Sequence, residues 1–226
     1  MGLGVFGSQT FTLGVEQYQE VHSALAVADC GQVGGGAKEV VEGVGILFPL
    51  GDVEHLAQGI KHLSVLINNA GLGGQKTVVQ MSDEEWQRVL DVTLTGTFRM
   101  TRAMLPHMQQ RGAGAIVNNA SVLGWRAQKE QAHYAAAKAG VMALTRCSAL
   151  EAAEFGVRIN AVSPSIALHD FLKKASSEEL LASLAGREAF GHAAEVWEVA
   201  NVMMFLASDY ASYMVGEVLS VSSQQA

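Results

Sequence analysis

A serine, a tyrosine and a lysine lie near one another in the sequence, at Ser121, Tyr134 and Lys138. Residues i and i+4 share one face of a helix, so the Lys138 ammonium can lie beside the Tyr134 phenol. A free tyrosine has a pKa near about 10, and a nearby cation lowers it by favouring the phenolate. Such a phenol can give and take a proton while a hydride moves at carbon. The spacing predicts alcohol–ketone redox chemistry, with Ser121 holding the substrate oxygen.

The YxxxK spacing occurs by chance on many helices, so the elements around it must support this interpretation. Short apolar runs alternate with stretches of helical periodicity, which predicts βαβ units around a buried parallel sheet. We expect an α/β fold: a doubly wound, Rossmann-like parallel sheet in three αβα layers. Strands are predicted most clearly at 64–68, 115–118, 158–162 and 217–221, and more weakly at 3–6, 25–28 and 46–50.

Four helices are predicted, at 83–110, 132–155, 176–184 and 194–208. Ser82 and Glu85 form a capping-box pattern at the start of the first helix, and Pro106 is expected to bend or interrupt it. Gly156 is expected to end the second helix. No repeat or linker divides the chain, so residues 1–226 are predicted to form one dinucleotide-binding and catalytic domain.

The composition of the 226 residues excludes several classes of protein. The net charge is −7 with no basic cluster, which argues against a nucleic-acid partner. The amino terminus lacks the features of a secretory signal, and no apolar run approaches the ~20 residues of a membrane span. Cys30 and Cys147 have no metal-type spacing, so we expect two reduced thiols in a cytoplasmic protein with no metal site.

Four sequence motifs, in matching order and spacing, resemble those of the short-chain dehydrogenase/reductase family. They are Asn68-Asn69-Ala70-Gly71 after a strand with Ser121 further on, Tyr134-Ala135-Ala136-Ala137-Lys138-Ala139-Gly140, Arg158-Ile159-Asn160-Ala161-Val162-Ser163-Pro164, and Phe205-Leu206-Ala207-Ser208. Their order and spacing follow the family from about residue 64 to the carboxyl end. The resemblance implies an NAD(P)-dependent alcohol dehydrogenase or ketoreductase.

The resemblance also implies a role for each matching residue. Tyr134 would be the general acid/base, Lys138 would bind the nicotinamide ribose and lower the tyrosine pKa, and Ser121 would orient the carbonyl. The segment Asn69, Ala70 and Gly71 would line the adenosine side of the cofactor. The nicotinamide would be bordered by Pro164, Ser165 and Ile166.

Three positions depart from the family pattern. Thr93 stands where the family usually has a catalytic Asn that holds a water on the proton path, and a threonine hydroxyl would hold that water less rigidly. Ser165 replaces the usual Gly after the Pro, and His169 replaces a Thr that commonly meets the cofactor carboxamide. We expect an altered proton relay rather than its loss.

The family's TGxxxGxG phosphate loop is missing from the first 50 residues, and two registers are possible. Gly2, Gly4 and Gly7 spell GxGxxG but have no strand before them, so this register is weak. In the register that we prefer, residues 3–6 form the first strand and the loop runs from Gly7 through Leu13 to Gly14. Its residues are large for a close approach to phosphate, which puts cofactor affinity in doubt.

The preferred register places an acidic residue where the ribose of the cofactor would bind. Asp29 ends the second predicted strand about 20 positions after Gly7, and an acidic residue there binds the ribose hydroxyls of NAD and repels the extra phosphate of NADP. The dipeptide Asp52-Val53 resembles the family's contact with the adenine ring. NAD is therefore the expected cofactor, without excluding NADP.

The segment 164–194 forms the substrate lid in relatives, and here it combines apolar side chains with Lys173 and Lys174. It suits a bulky hydrophobic substrate, or one on an acyl carrier whose phosphates meet the lysines. The alternative is an amphipathic helix packed on the core with solvated lysines. The words at 118–126 and 164–167 resemble actinobacterial family members that act in sterol ring breakdown, a branch of lipid metabolism. Helices 83–110 and 132–155 pair subunits in relatives, so a homodimer or homotetramer is expected.

Two other functions remain open from the sequence. The irregular loop at 7–14 and Thr93 favour a non-catalytic dinucleotide-binding or scaffold protein of the same fold. A dehydratase or epimerase is also compatible, because a fold does not fix a function. The complete set of Ser121, Tyr134 and Lys138 favours the oxidoreductase.

Overall fold

The computed structural model describes the backbone of residues 23–29 and 41–48, and backbone and side chains of residues 63–168, 172 and 177–223. Six strands form one sheet in the order β2-β1-β3-β4-β5-β8, and β6 and β7 form a separate two-stranded pair. The strands are β1 (Ser23–Asp29), β2 (Val41–Phe48), β3 (Val65–Asn68), β4 (Gly114–Asn119), β5 (Val157–Pro164), β6 (Ala167–Leu168), β7 (Ala194–Glu195) and β8 (Val218–Val221).

The carboxyl-terminal part of the sheet confirms the predicted parallel architecture. Strands β3, β4, β5 and β8 are parallel neighbours, with Asn68 opposite Asn118 and Ala161 opposite Val218. Their apolar runs are continuous because helices cover both faces of such a sheet, which is why the sequence pattern located them within one or two residues.

The two amino-terminal strands differ from the all-parallel expectation. Strand β1 pairs antiparallel with both β2 and β3, so the described sheet is mixed. Only residues 30–40 connect β1 to β2, and a parallel crossover needs about a dozen residues or more, usually with a helix. The predicted strand at 25–28 lies within β1, and the one at 46–50 overlaps the end of β2. The predicted strand at 3–6 lies outside the described residues.

The first predicted helix is one continuous helical stretch with a change of pitch inside it. It comprises α1 (Asp83–Leu90), a π-helical turn (Asp91–Thr95) and α2 (Gly96–Arg111). The predicted capping box is present, since Ser82 and Glu85 each accept from the other's backbone N–H. Pro106 lies on the exposed side of α2 and does not interrupt it, because the carbonyl that loses its N–H partner can face water.

The remaining helices match their predictions closely. They are α3 (Ala132–Ala153), α4 (Glu178–Ala185) and α5 (Val196–Ala207). Gly156 follows α3 with a φ of +73°, a left-handed conformation that favours glycine. Ser177 caps α4 by accepting from the backbone N–H of Leu180.

Helices lie on both faces of the sheet, which confirms the three-layer arrangement. On one face, Ile116 and Ile159 pack with Met104 of α2 and Ala149 of α3. On the other, neighbouring strand residues such as Val117 pack against α5, because successive side chains of a strand point to opposite faces. Among the helices that the structure describes, none is long and apolar enough to cross a membrane.

Candidate active site

Helix α3 presents Tyr134 and Lys138 on one face, as their spacing predicts. The alanine-rich sequence favours a long helix, and no bulky side chain separates the two residues. The Lys138 ammonium lies over the Tyr134 ring, with Nζ 5.5 Å from the ring centroid. The structure therefore brings the predicted acid/base and its cation into contact.

Lys138 is almost completely buried, with 2% of its surface exposed. Its Nζ donates a hydrogen bond to the backbone carbonyl of Asn119 at the end of β4. Burial lowers the pKa of Lys138 from 10.5 to about 8, because desolvation penalises the charged ammonium. At neutral pH the side chain keeps its charge and holds two further N–H donors.

Ser121 and Tyr134 lie within hydrogen-bonding contact. Burial raises the pKa of Tyr134 above 10, and the hydrogen bond with Ser121 offsets part of that rise. The sequence led us to expect that Lys138 would lower this pKa; the largest effect on it is instead desolvation of the phenol, which raises it. Tyr134 is therefore a protonated phenol at neutral pH. Such a group is suited to donating a proton to a substrate oxygen.

Asparagine side chains fix the carboxyl ends of β3 and β4 next to these groups. Asn68 donates to Asn118 (2.8 Å), and Asn118 donates to Thr145 of α3 (2.9 Å). One position further along, Asn119 donates to Asn69 (2.6 Å). These side-chain hydrogen bonds tie both strand ends to α3. The Asn119 carbonyl, which accepts from Lys138, is therefore held in place.

Thr93 lies in the π-helical turn and is completely buried. Its Oγ1 accepts from the backbone N–H of Leu72 (3.0 Å) and donates to the carbonyl of the same residue (3.3 Å). Its one O–H is therefore engaged by the protein, and a water at this hydroxyl can only donate to it. The predicted role of Thr93 as a water-holding residue stays a prediction, and its observed contact is with the segment after β3.

Gly71 lies directly against Lys138. A β-carbon placed on Gly71 would lie 3.2 Å from Lys138 Nζ and 3.9 Å from Thr93 Oγ1. Asn69 and Gly71 are exposed, and Ala70 is partly buried. The predicted adenosine-side segment therefore lies beside Lys138, and a β-carbon on Gly71 would crowd the ammonium.

The residues predicted to border the nicotinamide, Pro164, Ser165 and Ile166, lie at the same edge of the sheet. Pro164 ends β5, and the carboxyl ends of parallel strands meet at one edge, where ligands bind in open α/β sheets. Ser165 donates its backbone N–H to Val221 (3.1 Å), and the carbonyl of Ile166 accepts from Ala194 (2.9 Å). Among the described residues, these three positions form their hydrogen bonds with strand neighbours and not with Tyr134.

Asp29 is not brought to this edge. It is the last residue of β1, which runs antiparallel to β3 with Ala28 opposite Val65 and Leu25 opposite Asn68. Asp29 therefore lies beside the amino-terminal end of β3, whereas Asn68 marks the carboxyl end. The antiparallel direction of β1 is the physical reason that the predicted ribose contact of Asp29 finds no support in its position.

Several predicted residues lie outside the residues that the structure describes. These are the phosphate-loop positions Gly7, Leu13 and Gly14, the adenine contacts Asp52 and Val53, the carboxamide contact His169, and the lid lysines Lys173 and Lys174.

The sequence interpretation did not identify His133, Gly74 and Gln131 as parts of the site. His133 precedes Tyr134 and is 2% exposed, and Gln131 Nε2 donates to the Gly74 carbonyl (2.7 Å). Gly74 and Gln131 are 57 positions apart, so no local pattern could pair them. The fold brings Gly74 against the ring of His133, the residue directly before Tyr134 in α3.

An open depression of about 480 Å³ lies on the other side of α3. Helical geometry of 3.6 residues per turn places its floor, Ala132, Ala135, Ala136 and Ala139, opposite the face of Tyr134 and Lys138. The depression is therefore separate from the acid/base pair.

Within the described part of the chain, no group of three His, Cys, Asp or Glu side chains could hold a metal ion.

Comparison with known proteins identifies close relatives of this arrangement. A family model described as enoyl-(acyl carrier protein) reductase matches residues 52–223. The chain is 69% identical over 163 residues to the (5R,7aS)-5-hydroxy-7a-methyl-1-oxo-2,3,5,6,7,7a-hexahydro-1H-indene-carboxyl-CoA reductase of Mycobacterium tuberculosis, covering 72% of this chain and 62% of that protein. The match thus spans less than two thirds of that relative's length.

Two further relatives match more of their own length. A 3-oxoacyl-[acyl-carrier-protein] reductase of Vibrio harveyi is 34% identical over 200 residues, covering 83% of this chain and 82% of the relative. The crystal structure of a short chain dehydrogenase from Mycobacterium smegmatis is 58% identical, covers 79% of this chain and 68% of that chain, and superimposes with a TM-score of 0.66.

Proposed function

The chain belongs to the short-chain dehydrogenase/reductase family, and we propose that it reduces a ketone to a secondary alcohol with Tyr134 as proton donor. The observation that carries this proposal is the contact between the protonated Tyr134 phenol, Ser121 and the buried Lys138 ammonium. A scaffold protein would have no need to keep a charged lysine in a buried position, since burying a charge is costly.

The family membership implies a nicotinamide cofactor, and the described residues fit its nicotinamide-ribose end. The missing side chain of Gly71 leaves room beside Lys138 Nζ. Only one of the three N–H bonds of Lys138 is given to Asn119, so the others can bind ribose hydroxyls. When bound, the nicotinamide supplies the hydride.

The protein's own residues then handle the substrate oxygen. Ser121 orients the carbonyl by a hydrogen bond, and Tyr134 donates its proton to the oxygen as the adjacent carbon gains hydride. The Lys138 ammonium stabilises the phenolate that remains, because the cation lies over the ring of Tyr134. Proton replacement from solvent restores the phenol.

The substrate class that we propose is a bulky ring ketone carried as an acyl-CoA thioester. The support is the 69% identity to the hydroxy-indene-carboxyl-CoA reductase of Mycobacterium tuberculosis. The segment 164–194, proposed as the substrate lid, contributes apolar side chains, including Leu180, Leu181 and Leu184, from α4. The assembly that we propose is a homodimer or homotetramer of a cytoplasmic protein.

The cofactor choice that we propose is NAD. Its support is the sequence pattern, which has the acidic Asp29 about 20 positions after Gly7, and not the position of Asp29 at the end of β1. Titration of the purified protein with NADH and with NADPH, followed by nicotinamide fluorescence, tests this choice directly. Preferential NADH binding that weakens in Asp29→Ala supports it. Equal binding of both, or binding that Asp29→Ala leaves unchanged, overturns it.

The proposed activity is tested with NADH and NADPH against a bicyclic ketone and a small 3-oxoacyl-CoA thioester, in wild type and Tyr134→Phe. We expect turnover that disappears in Tyr134→Phe while dinucleotide binding is retained. A folded wild-type protein that binds neither dinucleotide would favour the scaffold function. A product with no net redox change would favour a dehydratase or epimerase.

A further inference from the structure

The segment after β3, Gly71-Leu72-Gly73-Gly74, lies along the first turns of α3. Each of its glycines lies against a different side chain of that helix, and two of these side chains are Lys138 and Tyr134. A β-carbon on Gly71 would lie 3.2 Å from Lys138 Nζ, one on Gly73 would lie 3.6 Å from Tyr134 Cδ2, and one on Gly74 would lie 2.9 Å from His133 Nε2. We call residues 71–74 the glycine segment.

The space for a β-carbon differs among the three glycines. The 3.6 Å contact at Gly73 is ordinary van der Waals distance, whereas 2.9 Å at Gly74 leaves no room for a β-carbon unless something moves. The backbone angle of Gly74 is outside the left-handed region, so only the His133 ring requires glycine there. His133 therefore sets how closely the segment can approach α3.

The His133 ring is held by packing. It is 2% exposed, and its Nδ1 has no hydrogen-bond partner among the described residues. A ring in this position cannot turn toward solvent without parting Gly74 from α3. Its role is consistent with that of a rigid spacer under the segment.

Hydrogen bonds on both sides of the His133 contact hold the glycine segment against α3. Thr93 bonds both the N–H and the carbonyl of Leu72. Gln131 donates to the Gly74 carbonyl (2.7 Å), and Glu130 accepts from the backbone N–H of Lys76 (3.1 Å). Glu130 has a φ of +65°, the one non-glycine residue with positive φ in the described chain, and such strain persists only where the surroundings impose it.

We propose that His133 is a positioning residue. It fixes the distance between the glycine segment and Tyr134, and thereby aligns the phenol with the substrate oxygen. This inference rests on the proposed function, because it assigns the alignment of Tyr134 to a neighbour that need not touch substrate. Displacing a reacting group by a fraction of an ångström is costly in catalysis. The spacer explains why a buried histidine whose Nδ1 has no hydrogen-bond partner among the described residues stands beside the catalytic tyrosine.

The test is a double-mutant cycle between Gly74→Ala and His133→Ala, since coupling between two changes reports their direct contact. In the wild-type background, Gly74→Ala is expected to lower kcat about tenfold and to leave the Kd for dinucleotide unchanged. In the His133→Ala background the same change is expected to alter kcat less than about twofold, because the β-carbon then occupies the space of the ring. His133→Asn is made in parallel as a second shortened side chain.

Gly73→Ala is the matched control, because its β-carbon meets Tyr134 and not His133. Its effect on kcat is expected to be the same whether or not His133 is present. An equal cost of Gly74→Ala in all backgrounds, or no cost in any, would overturn the proposal.

Amide hydrogen exchange of a peptide covering residues 70–78 provides a readout that needs no turnover. Gly74→Ala is expected to raise exchange there, where the Leu72 and Lys76 N–H groups are bonded, and not in the second half of α3. His133→Ala is expected to remove that difference. If Gly74→Ala leaves hydrogen exchange unchanged and shows no coupling with His133→Ala, while Tyr134→Phe abolishes turnover, the spacer role fails and the proposed function stands. If Tyr134→Phe keeps full turnover, the proposed function fails, whatever the coupling.

Discussion

Replacing Lys138 by methionine is expected to stabilise the fold at neutral pH while it abolishes turnover. The pKa of this lysine falls from 10.5 to about 8 on folding because the side chain is buried. One pKa unit corresponds to about 1.4 kcal/mol, so the charged ammonium costs the folded state about 3 kcal/mol at pH 7. Methionine fills a similar volume without charge.

Part of this gain is lost because the Asn119 carbonyl loses its donor. An unsatisfied buried acceptor costs about 1 to 3 kcal/mol. The net effect expected for Lys138→Met at pH 7 is therefore an increase of up to about 2 kcal/mol in the free energy of unfolding.

The difference between the two proteins should reverse as the pH rises. Folded Lys138 loses its proton near pH 8, whereas the unfolded chain keeps it up to about 10.5, so the wild type gains stability between these values. At pH 10 the neutral amine still donates to Asn119 without the cost of a buried charge. The wild type should then be the more stable protein by about 1 kcal/mol.

Urea unfolding followed by circular dichroism, at one protein concentration and at pH 7 and 10, measures both values. Lys129→Met is the matched control, because Lys129 is exposed in the loop before α3, and it should change stability little at either pH. A Lys138→Met protein that is less stable than wild type at pH 7, or a difference that does not depend on pH, would show that the buried charge of Lys138 does not cost stability.

Four further predictions concern the site and its support. The reduction rate, measured as kcat/KM against pH, should fall as the pH rises through about 8, because Lys138 loses its charge there; a flat profile to pH 10 would contradict this. Tyr134→Phe should lower kcat by about 10² to 10⁴ with little change in the unfolding free energy, measured by turnover and urea unfolding; turnover near wild type would contradict the assignment. Thr93→Val should destabilise the fold by about 1 to 3 kcal/mol, because the Leu72 N–H loses its partner, while Thr93→Ser should retain most of the stability; equal stability of the two variants would contradict it. Arg158→Met should cost about 2 to 4 kcal/mol in urea unfolding, because its guanidinium donates to four backbone carbonyls at the end of α5; an unchanged unfolding midpoint would contradict it.

The parts of the fold that the sequence predicts well are those with a strong local cause. The buried runs of β3, β4, β5 and β8 are apolar because both of their faces are covered, and α3 is alanine-rich and followed by Gly156. The i, i+4 relation placed Tyr134 and Lys138 together for the same local reason.

The parts that it misses depend on contacts between distant segments. The π-helical turn at Asp91–Thr95 has no sequence signature, and it coincides with the bonds of Thr93 to Leu72, 21 positions away. The antiparallel direction of β1 depends on its pairing with β3, which periodicity cannot specify. The pKa of Tyr134 follows from burial that only the assembled site provides.

In the proposed reaction, a hydride passes to a substrate carbon while Tyr134 protonates the oxygen. Nicotinamide cofactor carrying deuterium at the transferable position, incubated with a bicyclic ketone, tests this reaction most directly by mass spectrometry of the product. One deuterium is expected on the carbinol carbon with the wild type and almost none with Tyr134→Phe. Alcohol without deuterium, or labelled alcohol formed equally by both proteins, would contradict it.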